Sequence, residues 1–184
     1  MAPPPMERLA RIGMVARWKP VHLGHAAVLR ALCERGVKAL IGVGSSNRHD
    51  ERNPFTYEET TDMIRLALAG RTNAEVIPVP DLGDGPRWRA MVVDLFGPLD
   101  LFVTANDYVA SLLAGDYRLV RPVELVAEHE RVAIDGSMVR RDMARGGEWR
   151  QLVPPEVAEY IVAKGLDVRF RREFGLRTLA GEAP

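Results

Sequence analysis

Apolar residues along this chain fall into short unbroken runs, separated by stretches in which they recur every three or four positions. "RIGMVA" (Arg11 to Ala16), "VKALIGVG" (Val37 to Gly44), "AEVIPVP" (Ala74 to Pro80) and "DLFVTA" (Asp100 to Ala105) have the length of strands. Their near-continuous hydrophobicity predicts strands covered on both faces, as in a parallel sheet. Between them, His25 to Arg35, Thr56 to Leu68, Pro86 to Phe96 and Asp107 to Leu113 carry helical spacing. Thr56 and Glu59 stand three apart at the head of the second helix, the spacing of a capping box. Strand and helix alternate, which predicts an α/β fold built on a doubly wound parallel sheet with right-handed crossovers.

The last third changes rhythm. "ERVAIDG" (Glu130 to Gly136) predicts a short strand or an extended approach, after which Ser137 is expected to cap a helix running to Arg145 and ending at Gly146 and Gly147. Pro154 and Pro155 open another helix, to about Lys164, with Gly165 just past its end. "VRFRREFGLR" (Val168 to Arg177) predicts a final amphipathic segment with a basic face. These C-terminal helices close a single domain over residues 11–180, preceded by a loose proline-rich tail over residues 1–10.

Composition narrows the function classes. A chain of 184 residues is most simply one domain with a sizeable core. Its 25 basic and 25 acidic residues balance, so the overall field gives no pull toward nucleic acid or an acidic membrane. The single cysteine, Cys33, excludes an intramolecular disulfide and is expected in the core. No apolar run approaches the roughly 20 residues that span a bilayer, and a cytoplasmic protein is expected.

Charge becomes informative locally. In open α/β sheets, ligands bind beyond the carboxyl ends of the strands. The loops expected there, "RWKPVHLGH", "GSSNRHDERNPFT", "DLGDGPRWR" and "TAND", gather Arg17, Lys19, His22, His25, Arg48, His49, Arg52, Arg87 and Arg89. Cations concentrated at one sheet edge of a neutral chain predict a polyphosphate site. If a helix starts near Leu23, His22 and His25 fall on one side of its first turn, beside backbone N–H groups that favour an anion. Taken alone, the pair fits equally a helix cap, packed histidines, or half of a metal site. There is neither a Walker A pattern nor a Gly-x-Gly-x-x-Gly turn after the first strand.

"RWKPVHLGH" resembles the His-x-Gly-His signature of the nucleotidyltransferases, and "IDGSMVRRDM" resembles their second signature, in the right order along the chain. "GSSN…RNPFTYEE", "IPVPDLGDGPRW" and "GGEWRQLVPPEVAEYI" resemble segments of the archaeal-type nicotinamide-nucleotide adenylyltransferases, so the similarity runs from about Arg11 to Ile161. The resemblance implies a Rossmann-like fold and an enzyme that joins nicotinamide mononucleotide to ATP. NAD and pyrophosphate would form by direct in-line attack of the acceptor phosphate, with Mg2+ carried mainly by the ATP phosphates. By resemblance, His22, His25, Arg17 and Arg52 would act on the reacting phosphates. Ser137 and Arg140 would hold ATP from the far side, and Asn106 would line the nucleotide cleft. Trp88 would stack on the pyridine ring, with Asp81 nearby. Relatives of this type often form multimers, so a homo-oligomer is an expectation of the resemblance alone.

The departures from the family pattern are specific. Ala16 and Lys19 replace a glycine and an amide, Asp135 and Ser137 replace serine and threonine, and Ala105 replaces a glycine. Gly85 stands where the subgroup carries the asparagine that recognises the nicotinamide carboxamide. Two further readings therefore stand beside the first: the same nucleotidyl transfer to a different phosphorylated acceptor, and a noncatalytic nucleotide-binding protein.

Overall fold

The structure, a computed structural model, describes residues 8–181. Five parallel strands form one sheet in the order β3-β2-β1-β4-β5: β1 (Leu9–Ala16), β2 (Gly36–Gly44), β3 (Ala74–Val79), β4 (Leu101–Val103) and β5 (Leu119–Val120). Around it lie α1 (Leu23–Arg35), α2 (Tyr57–Ala67), α3 (Gly85–Phe96), α4 (Asp107–Leu113) and the short α5 (Pro122–Leu125). Three C-terminal helices follow: α6 (Gly136–Arg145), α7 (Pro155–Ala163) and α8 (Leu166–Ala180). This is the expected doubly wound, Rossmann-like single domain.

The period-two geometry of a strand divides the apolar runs between two cores. Ala39, Ile41 and Val43 of β2 join Ile12 and Met14 of β1 and Leu101 and Val103 of β4 in the larger core, with α1, α2 and the C-terminal helices. Leu40 and Phe102 turn the other way and meet Val92 and Phe96 of α3 and Leu113 of α4. Runs without polar alternation are what a sheet covered on both faces requires. Cys33 is buried in the larger core, as expected, and so are Trp18 and Trp149. Pro78 sits in β3, an edge strand, where a missing N–H is tolerated.

The expected elements are present, with local differences. The tail expected over residues 1–10 falls largely outside the described residues, and β1 begins at Leu9, inside it. β5 has only two residues, too few for any periodicity to register. Arg131 to Asp135 runs as an extended approach with no strand pairing. The cap of α6 is Asp135 rather than Ser137: its carboxylate accepts from Met138 N at 2.9 Å. A carboxylate at the N-cap satisfies a free N–H and meets the positive end of the helix, so it outcompetes the hydroxyl two residues on. Thr56 and Glu59 form the expected capping box at α2.

The smaller core meets the sheet closely at Gly42 of β2. A methyl group there would lie 2.8 Å from Phe96 Cζ, 2.8 Å from Val15 Cγ2 and 2.9 Å from Val79 Cγ2. Gly42→Ala is therefore expected to destabilise the fold by about 1–3 kcal/mol, the usual cost of overpacking, measured by urea denaturation. An unchanged midpoint would mean that these three side chains have room to move.

Candidate active site

Chain order reverses between β1 and β4, because β2 and β3 extend the sheet on one side and β4 and β5 on the other. Such a reversal leaves a crevice beyond the carboxyl ends of the two strands. The crevice is a cavity of about 900 Å³, walled by the β1–α1 loop, the end of β2, the β3–α3 loop, the β4–α4 loop and the approach to α6.

Its floor is the start of α1. His22 is the N-cap, and its Nδ1 accepts from His25 N at 3.2 Å, while His25 Nδ1 accepts from His22 N at 3.4 Å. The two rings stack with centroids 3.6 Å apart. The helix-capping reading of the pair is thus correct, and it does not exclude a ligand role, since both residues also line the cavity. A neutral imidazole that accepts at Nδ1 carries its proton on Nε2. Both rings are held neutral. Burial lowers His22 to about 4, against a partial rise from Asp135, with Arg140 lowering it further. Burial and the neighbouring His22 take His25 well below its ordinary value, with the Pro20 backbone pulling the other way. Gly24 permits this packing: a side chain there would press on the His22 ring at 3.1 Å and the Ile134 carbonyl at 3.3 Å. Trp18 supports His25 from beneath, ring to ring at 4.7 Å. Trp18 has a positive φ of 59°, uncommon for a bulky residue, and its indole N–H donates to Gly42 O at 2.9 Å.

Cations surround this floor. Arg17 lines the cavity. Arg140 reaches across from α6 and donates to Lys19 O at 2.9 Å. Burial lowers the Arg140 pKa, Arg17 and Arg52 lower it further, and Asp135 and Asp50 partly offset them. Arg17 and Arg52 are therefore each near enough to Arg140 to repel it. Lys19 is turned inward and 1% exposed: its ammonium donates to Ser45 O at 2.9 Å and Asn53 Oδ1 at 3.4 Å. Burial, with Arg17 adding to it and Asp50 opposing, lowers Lys19 to about 8. Cations clustered at a cost in mutual repulsion make a place prepared for an anion.

The far end of the cavity is different. Trp88 lines it while its ring also packs on the smaller core. Gly85 and Asp81 line it too, and Asp81 is paired with Arg48 at 3.1 Å. Asn106 lines the wall, with its Oδ1 capping α4 through Tyr108 N at 2.9 Å and Val109 N at 3.1 Å.

The crevice thus assembles Arg17, His22, His25, Asp81, Gly85, Trp88 and Asn106 as its walls, with Arg140 behind the floor. Arg52 and Ser137 are exposed and outside the cavity wall. The Ser137 hydroxyl is occupied, donating to Asp135 Oδ1 at 2.5 Å. Asp135 itself is spent on the cap of α6. Of the other loop cations, His49 bonds Glu173 at 3.2 Å and Arg89 forks onto Asp116 at 2.7 Å. Sequence reasoning missed Tyr108 and Arg131. Arg131 lines the cavity and donates to Val126 O at 3.1 Å and Val123 O at 2.7 Å, shaping a wall with Val132 and Ile134. No spacing rule marks either residue; only the fold brings them to the crevice.

Comparisons with known proteins agree with this geometry. Residues 15–142 match the model of the family described as cytidylyltransferase-like. The chain is 34% identical over 155 residues to the nicotinamide-nucleotide adenylyltransferase of Methanococcus vannielii, covering 83% of this chain and 88% of that one. It is 36% identical over 151 residues to that of Methanocorpusculum labreanum, covering 80% and 87%. Among solved structures, a bifunctional NMN adenylyltransferase/ADP ribose pyrophosphatase from Francisella tularensis shares the fold. It aligns with 96% of this chain at a TM-score of 0.72 and 18% identity, and this chain spans 57% of that one's length. A nicotinic acid mononucleotide adenylyltransferase of Plasmodium falciparum aligns at a TM-score of 0.58 and 8% identity, covering 88% of this chain and 98% of that one.

The histidine pair has a consequence for stability. With the folded-state value of His22 near 4 and the unfolded value near 6.5, the unfolded chain binds the extra proton between those pH values. The stabilising contribution is full above about pH 6.5 and is lost as pH falls toward 4. His22→Asn keeps a capping oxygen and removes the titration. Wild type is expected to lose about 2–3 kcal/mol relative to this variant across that window, read from denaturation curves at stepped pH. Parallel curves would mean that His22 is not held neutral.

Proposed function

Since the chain belongs to the cytidylyltransferase-like family of nucleotidyltransferases, we propose that it transfers AMP from ATP to nicotinamide mononucleotide, forming NAD and pyrophosphate. The observation that carries this reading is the reciprocal capping of His22 and His25 at the head of α1, enclosed by Arg17, Arg140 and Lys19 at one end of a crevice whose other end carries Trp88. The relatives of similar length that share about a third of its residues bear the same activity in their names.

A 5′-phosphate oxygen of the acceptor attacks the α-phosphorus of ATP. The new P–O bond forms as the bond to the β-phosphate bridging oxygen breaks, and pyrophosphate leaves with the electron pair. No protein nucleophile is needed, so the residues position and stabilise charge. Neutral imidazoles with the proton on Nε2 donate to phosphate oxygens without adding a full charge. Arg17 and Arg140 supply the fixed positive charge that grows in value as negative charge spreads in the transition state. Arg52, exposed on the β2–α2 loop near Arg140, would reach the distal phosphates once they are bound, and the helix start at Ser137 would face them from the other side. Trp88 would stack on the acceptor ring, and Asn106 would border the nucleotide between the two ends.

Among the described residues, no three His, Cys, Asp or Glu side chains are placed to hold a metal ion, and cations surround the floor of the crevice. That donor set fits a magnesium ion carried by triphosphate oxygens and water rather than by a protein cage. Bound in that way, magnesium would neutralise phosphate charge.

Gly85 favours a second reading, transfer to a different phosphorylated acceptor, because glycine offers no side-chain contact to a ring substituent. Pyrophosphate release by the purified protein with ATP, magnesium and either nicotinamide mononucleotide or its acid analogue separates the two. Efficient formation of the dinucleotide is expected. ATP binding with no transfer to either pyridine nucleotide would reject the acceptor assignment. His22→Ala is expected to lower kcat by about 10²–10³, the scale for losing one preorganised donor to a developing anion. A near-normal kcat would remove His22 from that role.

A further inference from the structure

Tyr108, in the first turn of α4, lines the cavity and is 63% exposed. Its backbone is fixed, since its N–H donates to the Asn106 cap at 2.9 Å and its carbonyl accepts from Ser111 Oγ at 2.7 Å. Its hydroxyl makes no hydrogen bond to another described residue. That hydroxyl lies over Gly85, where a Cβ would overlap it and would also press on Leu112 Cδ2 at 3.2 Å. Gly85 begins α3 and Trp88 lies three residues on, so the two present the same side of the helix. The missing side chain at Gly85 is what gives the Tyr108 hydroxyl its place beside the Trp88 end of the cavity.

We propose that Tyr108 is a specificity-determining residue of the acceptor pocket, its hydroxyl hydrogen-bonding the ring substituent of an acceptor stacked on Trp88. The inference rests on the reading of this crevice as a mononucleotide acceptor site. A phenol both donates and accepts, so it serves a carboxamide through either its carbonyl or its NH2. The same rim carries two carboxylates, Asp81 and Asp84, and Arg48 is the cation paired with one of them. Asp84 caps α3 by accepting from Arg87 N at 2.9 Å. A ring bearing a neutral carboxamide suits that rim better than one bearing a carboxylate. A polar recognition group in an otherwise apolar aromatic pocket discriminates more sharply than added apolar contact.

The test is Tyr108→Phe, with Gly85→Ala as a second variant that displaces the hydroxyl without removing it. Steady-state kinetics with nicotinamide mononucleotide and ATP are compared with wild type. Tyr108→Phe is expected to raise KM for the mononucleotide about 3- to 10-fold, the scale of one lost neutral hydrogen bond, with KM for ATP and the thermal midpoint unchanged. Gly85→Ala is expected to shift the same KM in the same direction. Wild-type turnover with an unaltered acceptor KM in Tyr108→Phe would overturn the role of Tyr108 and leave the assigned reaction standing. Wild-type protein that binds ATP but neither binds nor adenylylates a pyridine mononucleotide would overturn the reaction and this inference with it. Quenching of tryptophan fluorescence provides the binding readout, assigned to Trp88 by its loss in Trp88→Phe.

Discussion

Lys19 ties together three segments that are distant in the chain, and the candidate site depends on that junction. Its carbonyl accepts from Arg140 of α6, and its ammonium holds Ser45 O at the end of β2 and Asn53 on the β2–α2 loop. A buried ammonium is expensive unless its donors are used, and here two of the three are. The junction brings a guanidinium from 121 residues along the chain to the helix start that His22 and His25 cap. The lowered pKa values of Lys19 and Arg140 express first the cost of burial and then the nearness of Arg17, and an anion in the crevice would offset the second.

The second loop is braced from the C-terminal end of the chain. Arg169 of α8 forks onto Glu59 at 2.6 and 2.7 Å and donates to Pro54 O at 3.0 Å, and His49 meets Glu173 while its ring contacts Phe174 edge-on. Glu59 is at the same time the capping partner of Thr56. The segment that carries Arg52 is therefore bounded by buried Lys19 on one side and by α8 on the other. Burial of Phe170 and Phe174 in the larger core keeps α8 in place, so residues with no access to the crevice set the geometry of one of its loops.

Much of this was legible in the sequence because it rests on local rules. Unbroken apolar runs gave a sheet covered on both faces, and the Thr56–Glu59 spacing marked the start of α2 to the residue. The loops expected at one sheet edge supply walls of the crevice. What escaped depended on tertiary placement. Lys19 reads as an extra charge near the phosphates, yet the fold buries it as a strut. Ser137 reads as the cap of α6, yet Asp135 takes that place and accepts from the Ser137 hydroxyl. Arg48, His49 and Arg89 read as part of a cationic edge, yet Asp81, Glu173 and Asp116 occupy them. Tyr108 carries no motif; its importance comes from the empty position at Gly85, a helix away.

The central claim is that His22 and His25 are neutral donors, locked by mutual capping, that face an anion. Nitrogen-15 NMR of the histidine rings, recorded through a titration with magnesium ATP near pH 7, tests it most directly. The account predicts neutral rings with the proton on Nε2 in the free protein, and a downfield change in the Nε2–H signal of His22 as ATP saturates the site. A proton on Nδ1, or His22 signals indifferent to saturating ATP, would contradict it.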